Sequence, residues 1–282
     1  MHSLDHYINQ VKTLPPAPRI LTELLLLLGE ADVESERVVG LITFDPALTA
    51  QVLQRCNSAA AGFSQPVVDL QDAVMRLGFN DIYRLVAAVV AESTLGAAQQ
   101  GYGIGPGELW QHSAVAAVAA KVIARTQNGE ENLAFTAALL HDIGKLILSS
   151  SLEGAYEEVV HETEVSGHSF LEAEKVILGV EHAEVGGRLL ERWSFPEQLV
   201  RAVWQHHNPS QARPFERLAA SVHVSDMIAH FLGYGHGHQA YAVRGQAEAL
   251  EILGITGRDI ECLMLRTDTA LKETKWFTPK QP

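Results

Sequence analysis

Apolar side chains recur along this chain at intervals of three and four, the spacing that lines one face of an α-helix, and no series of alternating strands interrupts them. Pro15, Pro16 and Pro18 break the chain ahead of a leucine-rich stretch from Arg19 to Gly29, which predicts a first long helix ended by its glycine. A second follows over Ser35 to Phe44. Asp45-Pro46 opens a third, with the aspartate as N-cap and the proline in the first turn. Val68-Asp69 starts a fourth that Gly78 closes, and Asp81 to Leu95 makes a fifth, apolar on most sides. Residues 99–107 (Gln-Gln-Gly-Tyr-Gly-Ile-Gly-Pro-Gly) lack a preceding strand and a following Gly-Lys-Ser/Thr, so they predict a flexible hinge rather than a phosphate loop. The expected division is a helical part over 1–105 and a second over 106–282. Beyond the hinge, helices are predicted near Glu108–Thr126, Glu131–Leu148, Leu152–Ser166, Ser169–Val176, Ala183–Ser194, Pro196–His206, Pro214–Leu232, Ala240–Leu253 and Arg258–Thr274. The fold class is all-α, a multi-helix bundle with an N-terminal helical subdomain.

One stretch departs from amphipathicity. Ala137 to Leu148 is apolar all round yet contains His141, Asp142 and Lys145. A helix of that kind is buried, and a buried charge needs a partner. For an adjacent imidazole and carboxylate a metal ion is a fitting one, with Lys145 a turn from His141 to hold an anion. Other candidate ligands follow the same logic. Glu108 and His112 stand four apart on one helix face, His182 precedes a helix start, His206-His207 end an amphipathic helix, and Asp226 sits in an apolar run.

Composition narrows the setting. The chain has 282 residues, enough for one large domain or two small ones, and 47% of them are hydrophobic. No run of 18 apolar residues is free of charge, which argues against a membrane span, and the first residues lack a signal-peptide pattern. Cys56 and Cys262 stand far apart, as expected in a reducing compartment, so a cytoplasmic location is the default expectation. With 21 basic against 34 acidic residues, the net charge of -13 disfavours nonspecific nucleic-acid binding but leaves room for a small nucleotide in one pocket. The thirteen histidines make metal chemistry worth weighing at each.

The ordered set His112, His141-Asp142, Asp226 resembles the HD superfamily of metal-dependent phosphohydrolases. His182 and His206-His207 resemble the extra ligands of its HD-GYP branch, although Asn208 to Glu216 carries no Gly-Tyr-Pro. A wider resemblance runs through Leu14-Pro15-Pro16-Ala17-Pro18, residues 42–49, Cys56-Asn57-Ser58-Ala59, residues 73–78, and Leu190 to Pro196 leading into His206-His207-Asn208-Pro209. On these motifs the chain is similar to the HDOD (HD-related output domain) family of bacterial regulatory modules. That resemblance implies an HD-like helical bundle, with one to three divalent ions held by Glu108, His112, His141, Asp142, His182, His206, His207 and Asp226. It implies catalytic roles for Asp142, holding two ions, and Lys145, neutralising a phosphate oxygen. It also implies a signalling protein or a small nucleotide as partner.

Ligands that are all imidazole or carboxylate suit iron or manganese, with nickel, zinc and magnesium as further options, and disfavour a structural zinc site. Each residue also has a plainer reading. His141-Asp142 can be a buried ion pair, and His182 and His206 can cap or pack. Glu108 can be a first-turn acid, and Lys145 can snorkel. His223 and His230 lie on Asp226's face as core or supporting residues, and His236 and His238 fall in a glycine-rich loop.

Overall fold

The structure, a computed structural model, describes residues 7, 19–28, 34–43, 45–58, 61–166, 168–235 and 246–274. The Leu14–Pro18 motif, Gly29, Phe44, Ala59, His236, His238 and the start of the predicted helix at Ala240 lie outside them. Among the described residues the architecture is all-α. The N-terminal elements are α1 (Arg19–Leu28), α2 (Ser35–Thr43), α3 (Pro46–Cys56), α4 (Leu70–Leu77) and α5 (Phe79–Leu95). Their ends follow the sequence signals. Asp45 Oδ1 accepts the amides of Ala47 and Leu48, both at 3.0 Å, and Asp69 accepts that of Asp72 at 2.8 Å.

The second half contains α6 (Glu108–Thr126), α7 (Glu131–Leu140), α8 (Gly144–Glu153), α9 (Tyr156–Glu164), α10 (Phe170–Leu178), α11 (His182–Arg192) and α12 (Glu197–Trp204). It continues with α13 (Glu216–Ala229), a π turn (His230–Tyr234), α14 (Ala247–Leu253) and α15 (Gly257–Glu273). Helix α6 is the central element, packed against α7, α13 and α15. Its Ala114, Ala116, Ala117, Ala119 and Ala120 are fully buried, and such small side chains let neighbouring backbones come close. Glu131–Glu153 is long and apolar enough to cross a membrane by composition, but 89% of its most apolar window is buried inside the protein.

Two local expectations fail. Residues 99–107 are not an open hinge: Gln99 pairs with Ile104 in an antiparallel bridge, and Gly101 and Tyr102 are buried. A Cβ on Gly101 would stand 2.1 Å from the carbonyl oxygen of Ser149, so this glycine serves close packing rather than mobility. The helix predicted over Glu131–Leu148 is also interrupted. Helix α7 ends at Leu140, and His141 to Ile143 form a tightened turn in which Ile143 N–H donates to Leu140 O at 3.1 Å. Gly144 starts α8 where the chain of α11 crosses. A Cβ there would lie 2.0 Å from the carbonyl oxygen of His182, so glycine is what lets α11 reach Asp142.

Candidate metal centre

The His141-Asp142 turn places an imidazole and a carboxylate at the meeting point of α6, α11, α13 and the end of α12. His112 Nε2 lies 3.0 Å from Asp226 Oδ1 and 3.4 Å from His141 Nε2. His141 Nε2 lies 3.3 Å from Asp142 Oδ2, and His182 Nε2 lies 3.2 Å from Asp142 Oδ1. His207 Nε2 stands 3.0 Å from His182 Nε2. Three groups of donor atoms each fall within 4.8 Å of one another: His112, His141 and Asp226; His141, Asp142 and His206; His182, His206 and His207. Seven of the eight predicted ligand positions are therefore gathered, and Asp142 lies between the two ends of the cluster with one oxygen toward each.

The backbone sets how these rings point. His112 Nδ1 donates to Tyr234 O at 3.0 Å, and His141 Nδ1 donates to Ala138 O at 2.7 Å. His206 Nδ1 likewise donates to Val203 O at 2.7 Å. A carbonyl oxygen only accepts, so each Nδ1 carries the hydrogen and a neutral ring offers its Nε2 lone pair to the interior. His182 Nδ1 is held instead by Glu174, at 2.9 and 3.0 Å from its two oxygens. This is the arrangement that fits a metal: outer nitrogens tied down, inner nitrogens crowded together. His206 Nε2 is fully buried and has no hydrogen-bond partner among the described residues, an unmet acceptor that a cation would satisfy.

Charge is tightly coupled here. Burial pushes Asp142 up, but His141, Lys145 and His182 outweigh it and hold the carboxyl well below its usual range. Burial likewise opposes Asp226, yet its bonds to His112, His141 and His230 keep it well below. His141 is raised to about 10, since Asp142 and Asp226 overcome its burial, and His182 to about 9 through Glu174 and Asp142. His206 and His207 are driven well below the ordinary imidazole value by burial and then by their neighbouring rings. Burial also lowers His112, against the pull of Asp226.

Two predicted site residues behave differently from their expected roles. Glu108 is exposed and its carboxylate accepts the Gly105 amide at 2.8 Å, the first-turn role rather than a place among the gathered donors. Lys145 does not snorkel to solvent: it is 4% exposed and donates to Asp142 Oδ2 at 2.6 Å. His223 stands behind the cluster, its Nδ1 donating to His206 O at 2.9 Å and its Nε2 accepting from Gln246 N–H at 3.0 Å. His230 approaches Asp226 Oδ1 at 3.4 Å.

Sequence reasoning missed Glu174 and Tyr102. Glu174 is fully buried, accepts the backbone amide of His182 at 2.8 Å, and accepts the Tyr102 hydroxyl at 2.8 Å. Its available signal was spacing, four residues from both Phe170 and Leu178 on the inward stripe of α10. A cavity of about 290 Å³ opens over the cluster, lined in part by Asp142, Lys145, Phe170, His182, His207 and Asn208.

Comparisons with known proteins bear on the family and the fold. The family model described as the HDOD domain matches residues 14–209. An uncharacterised protein of Treponema pallidum (strain Nichols) is 26% identical over 231 residues, covering 79% of this chain and 44% of its own. This chain thus spans under half the length of that relative. Among solved structures, a candidate phosphohydrolase of Shewanella amazonensis SB2B is 24% identical with a TM-score of 0.71, covering 96% of each chain. A candidate signal-transduction protein of Marinobacter aquaeolei VT8 is 23% identical with a TM-score of 0.74, covering 98% of this chain and 61% of its own. At these identities the two structures establish the fold.

Proposed function

The chain belongs to the HDOD domain family, and from that premise and the gathered imidazoles and carboxylates we propose that it is a bacterial signalling module with a two-metal centre competent for phosphate-ester hydrolysis. The observation that carries the reading is the inward crowding of Nε2 atoms whose Nδ1 partners are fixed, with the buried His206 Nε2 unmet. His112, His141, Asp142 and Asp226 would hold one ion, and Asp142, His182, His206 and His207 the other. Divalent ions in such a pair supply Lewis acidity toward a phosphate ester and lower the pKa of a water. The protein's own part is to fix which ring nitrogens face inward, to hold Asp142 between the two ends, and to present the ammonium of Lys145 beside it on the cavity wall. A cavity of about 290 Å³ has room for about ten waters at ~30 Å³ each, which favours a small nucleotide or similar ester over a polymer.

The test is hydrolysis of an aryl phosphodiester, nucleoside phosphates and cyclic dinucleotides by anaerobically purified protein supplied with iron or manganese. The reading expects turnover that His141→Ala abolishes; turnover that survives His141→Ala sinks it. A second reading keeps the metals but gives them a structural or sensory task, with a signalling protein reading the surface. The near-complete burial of His112, His141, Asp142 and His206 favours that alternative. Full metal loading without hydrolysis of any of these esters would select it.

A further inference from the structure

A separate cavity of about 210 Å³ lies among α3, α5, α6, α7 and α15, and shares no lining residue with the cavity over the histidine cluster. Leu85, Val118, Phe135 and Ala270 make an apolar side, next to Arg84, Lys121 and Arg125. The charges on this wall are balanced. Arg125 makes a two-pronged contact with Glu131 at 2.9 and 3.0 Å, and Arg84 pairs with Asp81 at 3.0 Å and Glu131 at 3.2 Å. Asp81 and Glu131 also act on Lys121, and Glu273 lies on the same wall. The space therefore suits an uncharged occupant that can pack on the apolar side and lie against cations. An aromatic ring meets both demands, and an indole face attracts cations best.

The chain itself carries such a ring to the edge of the cavity. Helix α15 supplies one wall through Ala270, Glu273 and Thr274, and Ala270 and Thr274 stand four apart on one face. Thr274 is also where the backbone leaves the helix. Its ψ of 111° is extended, and its hydroxyl donates back to Ala270 O at 2.7 Å. It is the last described residue, and the sequence continues Lys275-Trp276-Phe277-Thr278-Pro279-Lys280. An extended backbone advances at most ~3.6 Å per residue, so position 276 is no farther than about 7 Å from Thr274. A cavity of ~150 Å³ suffices for benzene, so about 210 Å³ has room for a larger ring.

We infer that this cavity is the seat of the Trp276 side chain, the indole packing on Leu85, Val118, Phe135 and Ala270 with the cationic side chains beside it. Docked there, the segment after α15 fastens the end of that helix to α5, α6 and α7. The inference is independent of the metal centre. The protein also carries its own reporter. Cys56 lines the cavity and is 1% exposed, so a reagent entering that space meets its thiol. Cys262 on α15 is exposed and serves as the reference.

The probe is methyl methanethiosulfonate applied to the native full chain, with modification of Cys56 and Cys262 followed separately by peptide mass spectrometry. Trp276→Ala should speed the reaction of Cys56 at least tenfold, leave Cys262 unchanged, and lower the melting temperature by about 4 °C or more. Phe277→Ala keeps the indole and should leave the Cys56 rate near that of the wild type. Ile228→Ala, in the other core cluster, controls for general loosening and should leave it near the wild type as well. An unchanged Cys56 rate in Trp276→Ala would overturn the inference, as would a rise of equal size in Phe277→Ala or Ile228→Ala. So would a wild-type rate that climbs on dilution, since the cover would then be a second copy of the chain.

Discussion

Glu174→Gln isolates the support beneath the centre. The carboxylate meets three donors, the Tyr102 hydroxyl, the His182 amide and His182 Nδ1–H, at 2.8 to 3.0 Å. A glutamine offers one oxygen and turns an NH2 toward the rest, so at least one buried donor loses its acceptor. That costs the fold about 1–3 kcal/mol. The effect on metal is separate. Losing the carboxylate behind a ligating imidazole lowers affinity by about 10–100-fold, about 1.4–2.7 kcal/mol. It also removes a main cause of the raised value of about 9 at His182, so that imidazole should titrate lower in the metal-free variant. Competition with a chelator of known affinity reads the first effect, and NMR titration of the ring reads the second. Tyr102→Phe is the control, because it keeps the carboxylate and should leave the His182 titration high. A folded Glu174→Gln with native metal affinity and an unmoved His182 titration would refute the assignment.

The metal-free protein should be most stable near the ordinary histidine value of about 6.5. His141 and His182 are raised, so their contribution is complete below that value and is lost as pH climbs toward about 9 and about 10. His112, His206, His207 and His223 are lowered, so theirs is complete above it and is lost on acidification. Thermal melts of chelator-treated protein across pH check this, and a stability that rises steadily to pH 9 would contradict it. Metal uptake near pH 7 should release protons, measurable as a buffer-dependent heat of binding; a heat independent of buffer ionisation would count against raised His141 and His182. Gly144→Ala drives a Cβ to 2.0 Å from His182 O and 2.8 Å from Gly186 N, both backbone atoms, and should cost about 1–3 kcal/mol or more in denaturant unfolding. Gly154→Ala meets nothing within 4 Å at a helical φ of -76° and should be neutral or stabilise by up to about 1 kcal/mol. Glu108→Gln should leave metal content unchanged, and a lost ion would restore Glu108 as a ligand.

Signals confined to one or two turns were legible in the chain: the Asp45-Pro46 cap, the Gly78 stop, and α6 from Glu108 to Thr126. Seven of the gathered side chains were legible as candidates as well, because ionisable side chains in apolar surroundings need an explanation that surface charges do not. What the chain conceals is convergence. Glu174 looks like one more acid on a charged helix until its spacing from Phe170 and Leu178 is set against burial. Residues 99–107 look flexible because glycine permits mobility and close approach alike, and only the neighbouring Ser149 carbonyl decides between them. Arg84 and Lys121 lie on different helices, and nothing local says that they share a cavity wall.

Elemental analysis of anaerobically purified protein bears most directly on the claim that cations draw His112, His141, Asp142, His182, His206, His207 and Asp226 together. The expected result is two divalent ions per chain, both lost or reduced to weak exchange in Asp142→Ala while the helical content is retained. Wild-type protein with less than one ion per chain, even after incubation with iron or manganese, would show that these side chains hold only one another.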